Sequence, residues 1–298
     1  MEGCRICPRE CGVDREIAVG FCGGGAKIKA AKAMIHRWEE PCISGEKGTG
    51  AIFFSGCVLK CCYCQNHDIS IGNFGEEISE ERLGEIMLSL QDQGVSSIDL
   101  VSGVSYQPQI IRALDRVKHR LSVPVIRNSG GYEKAESLRQ LEGYIDVYLP
   151  DLKYASSERS LRYSAAADYF EIATQAILEM HRQVGKPIFD GDGYIKRGVI
   201  VRHLVLPGGV KDSFAVLEWL ASAFLPGDVM VSVMSQYLPF YKAKEGEYPE
   251  LGRRLTTLEY QRVMRKMEQL GLEFGYLQQR SSADASYTPV FDLEGIGE

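Results

Sequence analysis

The chain has 298 residues, of which 45% are hydrophobic and 25% charged, and its formal net charge is −6. This composition is typical of a globular protein, and the sequence contains no apolar run long enough to span a membrane. The negative charge gives no long-range attraction for nucleic acid, and the first residues lack the apolar core of a signal peptide. We therefore expect a cytoplasmic protein with neither a nucleic-acid nor a membrane partner.

From residue 50 onward, short β-branched runs alternate with longer amphipathic stretches, as in repeated βα units. Six strands are predicted, at residues 51–54, 98–101, 123–126, 145–149, 199–202 and 229–233. Ser79 can cap one intervening helix, and Thr256 with Glu259 forms a capping-box pattern before another. Strands joined by such helices form parallel sheets, so the sequence predicts an α/β fold, a partial (β/α)6 barrel with its sites at the carboxyl ends of the strands.

Two regions depart from this alternation. The amino-terminal segment is rich in cysteine and glycine and is too short to fold without a metal. We therefore predict a small cysteine-rich metal-binding segment at residues 1–45 and a barrel at residues 46–298. The stretch 239–254 mixes proline, glycine and charged residues without a period, which is typical of a mobile loop.

The nine cysteines all lie in the first quarter of the chain. Disulfides rarely persist in a reducing compartment, and an odd count fits a disulfide framework poorly, so metal ligation is the better interpretation. Cys57, Cys61 and Cys64 form a C-x3-C-x2-C motif directly after the first predicted strand. Three thiolates leave one iron of a [4Fe-4S] cluster open to a substrate, whereas zinc favours paired C-x2-C units and a fourth ligand. The motif predicts a catalytic iron–sulfur cluster.

This spacing resembles the radical S-adenosylmethionine (SAM) superfamily, and residues 64–66 and 41–50 resemble the group related to pyruvate formate-lyase activating enzymes. The resemblance implies a radical SAM barrel in which the open iron binds the amino and carboxylate groups of SAM. One electron then cleaves SAM to methionine and a 5'-deoxyadenosyl radical, which abstracts a hydrogen atom from the substrate. The chemistry implies reduced flavodoxin or ferredoxin as the electron donor.

Four residues after the second and third strands match the SAM-binding segments of this group. Ser102 and Gly103 stand where the family often has Gly-Gly-Glu, whose backbone meets the SAM amino group, although the acid is absent here. Asn128 and Ser129 could reach the ribose, or could form an ordinary turn. The resemblance therefore implies cofactor contacts from both strand ends.

Residues near the ends of the later predicted strands also resemble SAM-binding and substrate-facing segments of this group. Asp151 and Lys153 resemble an Asp-Leu-Lys segment that faces SAM, and two positions apart on a strand they point to the same face. Arg202 resembles the family's arginine that approaches the SAM carboxylate, for which its planar fork of donors is suited. Gln236 and Tyr237 resemble a segment that faces the substrate cavity. These residues complete the predicted cofactor and substrate site.

Cys4, Cys7, Cys11 and Cys22 offer four thiolates, enough for a tetrahedral zinc site or a second [4Fe-4S] cluster. Zinc, which we slightly favour, suits a structural cap, and a second cluster suits an electron relay or a substrate anchor. Disulfides are the third alternative. Cys42 and Cys62 fall outside both ligand sets and are predicted to be buried free thiols.

The sequence allows three functions. The first is an oxidoreductase that cleaves SAM and acts on an unknown substrate, such as a small molecule, a peptide or a cofactor precursor. The second is an activase that forms a glycyl radical on a partner protein. The third is a non-catalytic iron–sulfur sensor or scaffold, which would leave Asp151, Lys153 and Arg202 without a role.

Overall fold

The computed structural model describes residues 3–277 and 289–297. Within these residues a ten-stranded sheet forms the centre of the fold. The strands are β1 (Ile28–His36), β2 (Thr49–Phe54), β3 (Glu76–Ile78), β4 (Ile98–Val101), β5 (Val125–Ser129), β6 (Val147–Pro150), β7 (Ile188–Phe189), β8 (Ile195–Leu204), β9 (Met230–Met234) and β10 (Gly275–Leu277). The helices are α1 (Pro41–Ser44), α2 (His67–Ser70), α3 (Glu80–Asp92), α4 (Gln107–Val117), α5 (Ala135–Arg139), α6 (Ser157–Ser164), α7 (Tyr169–Val184), α8 (Val210–Ala223), α9 (Tyr241–Lys244) and α10 (Thr257–Gln269).

The six predicted strands are β2, β4, β5, β6, β8 and β9, and they pair in parallel in that order. The mixed α/β class and the partial barrel are therefore confirmed. Strand β10 adds a further parallel strand beside β9, and β1 and β3 form the opposite end of the sheet. Because all six strands point the same way, the loops that follow them meet at one end of the barrel.

Strand β1 was not predicted, and it pairs antiparallel with both β2 and β3. Three of its nine residues are alanine, which has a low strand propensity and obscures the alternating pattern. It lies within residues 1–45, so the sheet includes part of the predicted metal-binding segment. The boundary at residue 45 stays a prediction.

The stretch predicted as a mobile loop instead contains α9 and a short 3₁₀ turn, Pro249–Leu251. Ala243 and Leu251 are fully buried, and the Ala243 N–H donates to the Cys62 carbonyl at 3.1 Å. Two well-placed apolar residues thus attach a mostly polar segment to the core. Among the helices of residues 3–277 and 289–297, none has the length and apolar content that a bilayer span requires.

Both predicted helix caps are present. The Ser79 hydroxyl accepts from the Arg82 N–H at 3.0 Å at the start of α3. At α10, Thr256 Oγ1 accepts from the Glu259 N–H at 3.2 Å, and the Glu259 carboxylate accepts from the Thr256 N–H at 2.9 Å. These bonds satisfy amide groups that have no partner within the helix.

We expect Thr256→Ala to lower the free energy of unfolding by about 1 kcal/mol, because it removes one half of the capping box. Anaerobic urea denaturation would measure the change. Gln261→Ala, at an exposed position of the same helix, should change it by less than about 0.5 kcal/mol. Equal effects of the two substitutions would contradict a stabilising role for the cap.

Candidate metal centre

The loop after β2 carries Cys57, Cys61 and Cys64 at the carboxyl end of the parallel strands. Burial, followed by the neighbouring thiols, raises the pKa of Cys57 to about 12 and that of Cys64 to about 11. The three side chains are therefore close enough to influence one another. Because a metal binds the thiolate, loading this site must release protons.

Each of the three sulfurs has a hydrogen-bond partner that suits a thiolate. The pairs are the Leu59 N–H with Cys57 Sγ (3.4 Å), Ser164 Oγ with Cys61 Sγ (3.0 Å) and Ser70 Oγ with Cys64 Sγ (3.2 Å). Hydrogen bonds to the ligating sulfurs are among the factors that set the reduction potential of an iron–sulfur cluster. The donor set thus fits a three-cysteine cluster.

Behind Cys61 lies a buried chain of hydroxyl groups. Ser164 Oγ is 2.8 Å from the Tyr154 hydroxyl, which is 2.6 Å from the Tyr63 hydroxyl. Burial raises the pKa of both tyrosines well above its usual value, so both keep their protons. The chain can therefore donate hydrogen bonds towards the Cys61 sulfur. Local sequence patterns do not indicate Ser164, because it lies 103 positions from Cys61.

One largely buried ionic group lies beside this loop and consists of Lys153, Asp151 and Arg202. Lys153 Nζ pairs with one Asp151 oxygen, and Arg202 Nε pairs with the other at 3.0 Å. Burial alone would raise the pKa of Asp151, but the two cations outweigh it and hold that pKa below its usual range. The Lys153 ammonium also opposes the rise in the pKa of Cys57 and Cys64. Asp151 and Lys153 therefore pair with each other.

The remaining nitrogens of Arg202 are also engaged. Nη2 donates to Asn128 Oδ1 at 2.7 Å, and Nη1 donates to Glu39 Oε2 at 3.2 Å. The Asn128 amide nitrogen in turn donates to Glu39 at 3.2 Å and to Asp99 at 3.1 Å. The structure therefore unites four of the residues predicted for the SAM site.

Sequence reasoning missed three acids in this group, the largely buried Glu39 and the buried Glu40 and Asp99. Burial raises the pKa of Glu39, and it raises the pKa of both Glu40 and Asp99 to about 7. Asp99 is fully buried, and its Oδ1 has no hydrogen-bond partner among the described residues. One signal was available, since Asp99 interrupts the apolar run of β4.

Ser102 and Gly103 follow β4, and Ser102 adopts a left-handed backbone with a φ of 63°. Its N–H donates to the Asn128 carbonyl at 2.9 Å, which places it beside the ionic group. A non-glycine residue in this conformation costs about 1 kcal/mol or more, and such strain is common at functional sites. Ser129 is placed differently, because its hydroxyl donates to Glu133 at 2.5 Å within the turn after β5.

Gln236 and Tyr237 follow β9. Tyr237 is buried, its ring lies 5.8 Å from that of Tyr63, and its hydroxyl donates to the Leu251 carbonyl at 2.8 Å. Gln236 is half-buried and donates weakly to Met234 Sδ at 3.7 Å. Tyr237 thus packs against the cysteine loop, and the substrate contact of both residues stays a prediction.

Cys4, Cys7, Cys11 and Cys22 line a single cavity. Burial raises the pKa of Cys7 to about 11, with smaller contributions from the other three thiols. The structure therefore brings the four predicted amino-terminal ligands together. Cys42 and Cys62 are 4% and 3% exposed and lie outside both ligand sets, as predicted.

Residues 51–223 match the sequence model of the radical SAM superfamily. The chain belongs to this superfamily, and membership implies a [4Fe-4S] cluster and SAM as cofactors. An uncharacterized protein of Methanocaldococcus jannaschii is 30% identical over 287 residues, which cover 93% of this chain and 77% of the relative.

Two solved structures are similar at low identity. The FeFe-hydrogenase maturase HydG from Carboxydothermus hydrogenoformans is 12% identical, with a TM-score of 0.47 over 79% of this chain and 55% of its own. Methylornithine synthase (PylB) is 16% identical, with a TM-score of 0.47 over 71% of this chain and 59% of its own. This chain therefore spans less than two thirds of either structure.

We expect Ser164→Ala to shift the reduction potential of the cluster to a more negative value, because Cys61 loses a hydrogen bond that stabilises the reduced, more negative state. A redox titration monitored by electron paramagnetic resonance would measure the shift. Ser160→Ala is the matched control, since Ser160 is buried in the same helix and its hydroxyl donates to the Ser157 carbonyl. An unchanged potential in Ser164→Ala would contradict the role of the hydroxyl chain.

Asp99 should make stability depend on pH. Its pKa in the folded state is about 7 against an ordinary 3.8, so the folded protein binds the extra proton. The stability contributed by this group is complete below about pH 4 and is lost as the pH rises through about 7. We expect Asp99→Asn to gain about 4 kcal/mol relative to wild type between those limits, measured by anaerobic urea denaturation. Asp92→Asn, at an exposed position, should track wild type, and identical pH profiles for Asp99→Asn and wild type would refute the assignment.

Proposed function

We propose that this chain is an oxidoreductase of the group related to pyruvate formate-lyase activating enzymes, which cleaves SAM reductively and abstracts a hydrogen atom from its substrate. The observation that carries the proposal is the loop with Cys57, Cys61 and Cys64 beside the buried pair of Asp151 and Lys153. When bound, a [4Fe-4S] cluster supplies the single electron that cleaves SAM to methionine and a 5'-deoxyadenosyl radical. Reduced flavodoxin or ferredoxin is the proposed source of that electron.

The chain supplies ligands, charge and shielding for this chemistry. Cys57, Cys61 and Cys64 would hold three irons and leave the fourth to SAM. The Lys153 ammonium offsets part of the negative charge of the thiolates, and burial of the loop excludes water from a reactive radical.

Arg202 is proposed to bind the SAM carboxylate. Asp151 and Asn128 fix two sides of its guanidinium, which presents a rigid fork of donors. The third side contacts Glu39, whose pKa is raised by burial. A raised pKa allows Glu39 to take up a proton, so an incoming carboxylate can replace it without repulsion between two anions.

Anaerobically reconstituted protein, mixed with SAM and dithionite, should release 5'-deoxyadenosine, quantified by chromatography. Cys61→Ala should reduce the release to background, because it removes one ligand of the cluster. Cys62→Ala is the matched control, since Cys62 is the adjacent buried cysteine outside the motif, and it should retain activity. Wild-type release no greater than that of Cys61→Ala would rule out catalysis and favour a sensor or scaffold.

A further inference from the structure

The four amino-terminal cysteines line one cavity. Cys7 is buried, Cys4 and Cys22 are half-buried and Cys11 is exposed. Arg15 and Ser105 also line this cavity. The site is therefore accessible from solvent at Cys11 and enclosed at Cys7.

Two glycines allow the backbone to approach the cysteine sulfurs closely. A Cβ atom at Gly24 would lie 2.6 Å from Arg15 Nη2 and 3.4 Å from Cys22 Sγ, and one at Gly20 would lie 3.1 Å from Cys11 Sγ. Glycine at both positions therefore lets the chain pack directly against the cysteine sulfurs and Arg15.

The cavity also presents buried donors without acceptors. Arg15 Nη2 and Ser105 Oγ have no hydrogen-bond partner among the described residues, and Ser105 is only 4% exposed. An unsatisfied buried donor costs about 1–3 kcal/mol. The inorganic sulfides and thiolates of an iron–sulfur cluster are acceptors that would satisfy both groups.

The two cysteine sites are joined through the backbone. The Cys57 N–H donates to the Cys22 carbonyl at 3.0 Å, so a ligand of one site is hydrogen-bonded to a ligand of the other. Gly56 has a φ of +82°, and a Cβ atom there would lie 2.4 Å from the same carbonyl. The close approach therefore depends on glycine at this position.

Arg9, between Cys7 and Cys11 in the sequence, makes a second connection. Its guanidinium donates to the Val58 carbonyl at 2.9 Å and to the Ser164 carbonyl at 3.2 Å. Val58 follows a cluster ligand directly, and Ser164 donates to the Cys61 sulfur. The amino-terminal site is thus attached to the catalytic loop and to the end of α6.

We propose that Cys4, Cys7, Cys11 and Cys22 hold a second [4Fe-4S] cluster that delivers electrons to the catalytic cluster, an inference that rests on the proposed function. A low-potential donor of the flavodoxin or ferredoxin class passes one electron to the second cluster at the exposed Cys11 side. That electron moves on to the catalytic cluster, and the second cluster returns to its oxidised state, with no bond made or broken in either transfer. Zinc has no redox chemistry, so a zinc ion at this site could not pass electrons to the catalytic cluster.

Metal and sulfide analysis of the anaerobically reconstituted full chain tests the identity of the group. Wild type should contain about eight irons and eight sulfides, and the double variant Cys7→Ser/Cys11→Ser about four of each. Zinc with about four irons in wild type would overturn the proposal.

The relay is tested by comparing two reductants. For each reductant, the release of 5'-deoxyadenosine by the double variant is compared with that by wild type. The fold-decrease should be at least about tenfold larger with reduced flavodoxin than with dithionite, because a small reductant can reach the catalytic cluster directly. An equal loss with both reductants would overturn the relay. Failure of wild type to release 5'-deoxyadenosine with dithionite would instead contradict the proposed function.

Ser105→Ala provides a test that leaves all cysteines in place. It should shift the reduction potential of the second cluster to a more negative value and leave that of the catalytic cluster unchanged, as measured by a redox titration monitored by electron paramagnetic resonance. A single cluster signal that is unaffected by Ser105→Ala would overturn the proposal.

Discussion

The carboxylate of Asp151 holds two buried cations, and the arrangement of the candidate site depends on it. One oxygen pairs with Lys153 and the other with Arg202, and all three side chains are largely buried. Buried charges are tolerated only when they are paired and hydrogen-bonded. Asp151 thereby directs the lysine towards the cysteine loop and the arginine towards Asn128, so that one residue aligns the cluster side and the cofactor side of the site.

The other acids near Arg202 would give the site an excess of negative charge if all were ionised. Asp99, Glu39, Glu40 and Asp151 all interact with Arg202, and Asp151 interacts with Lys153 as well. Burial raises the pKa of the first three, which lets the protein reduce this excess by protonation. A site that can hold protons in this way can admit an anionic cofactor group at neutral pH.

The sequence predicts those parts of the molecule that local pattern determines. The six parallel strands follow from β-branched runs, and the cysteine loop follows from its spacing. The missed parts depend on contacts between distant positions: β1 is recognisable as a strand only through its pairing with β2, and Ser164 reaches Cys61 only after α6 has packed. Tyr237 shows that a match to a sequence segment does not determine a side chain's contacts. Its position after β9 predicts a contact with the substrate, whereas its hydroxyl donates to the Leu251 carbonyl.

Strand β1 joins the amino-terminal segment to the sheet of the barrel. It covers the outer edge of β2, the strand that leads into the cysteine loop, with pairs from Ala30 to His36. A barrel begun at residue 46 would present β2 as a bare edge, which is a template for pairing with another chain. The amino-terminal segment therefore also protects the edge of β2 from pairing with another chain, and it does not form a module separate from the sheet.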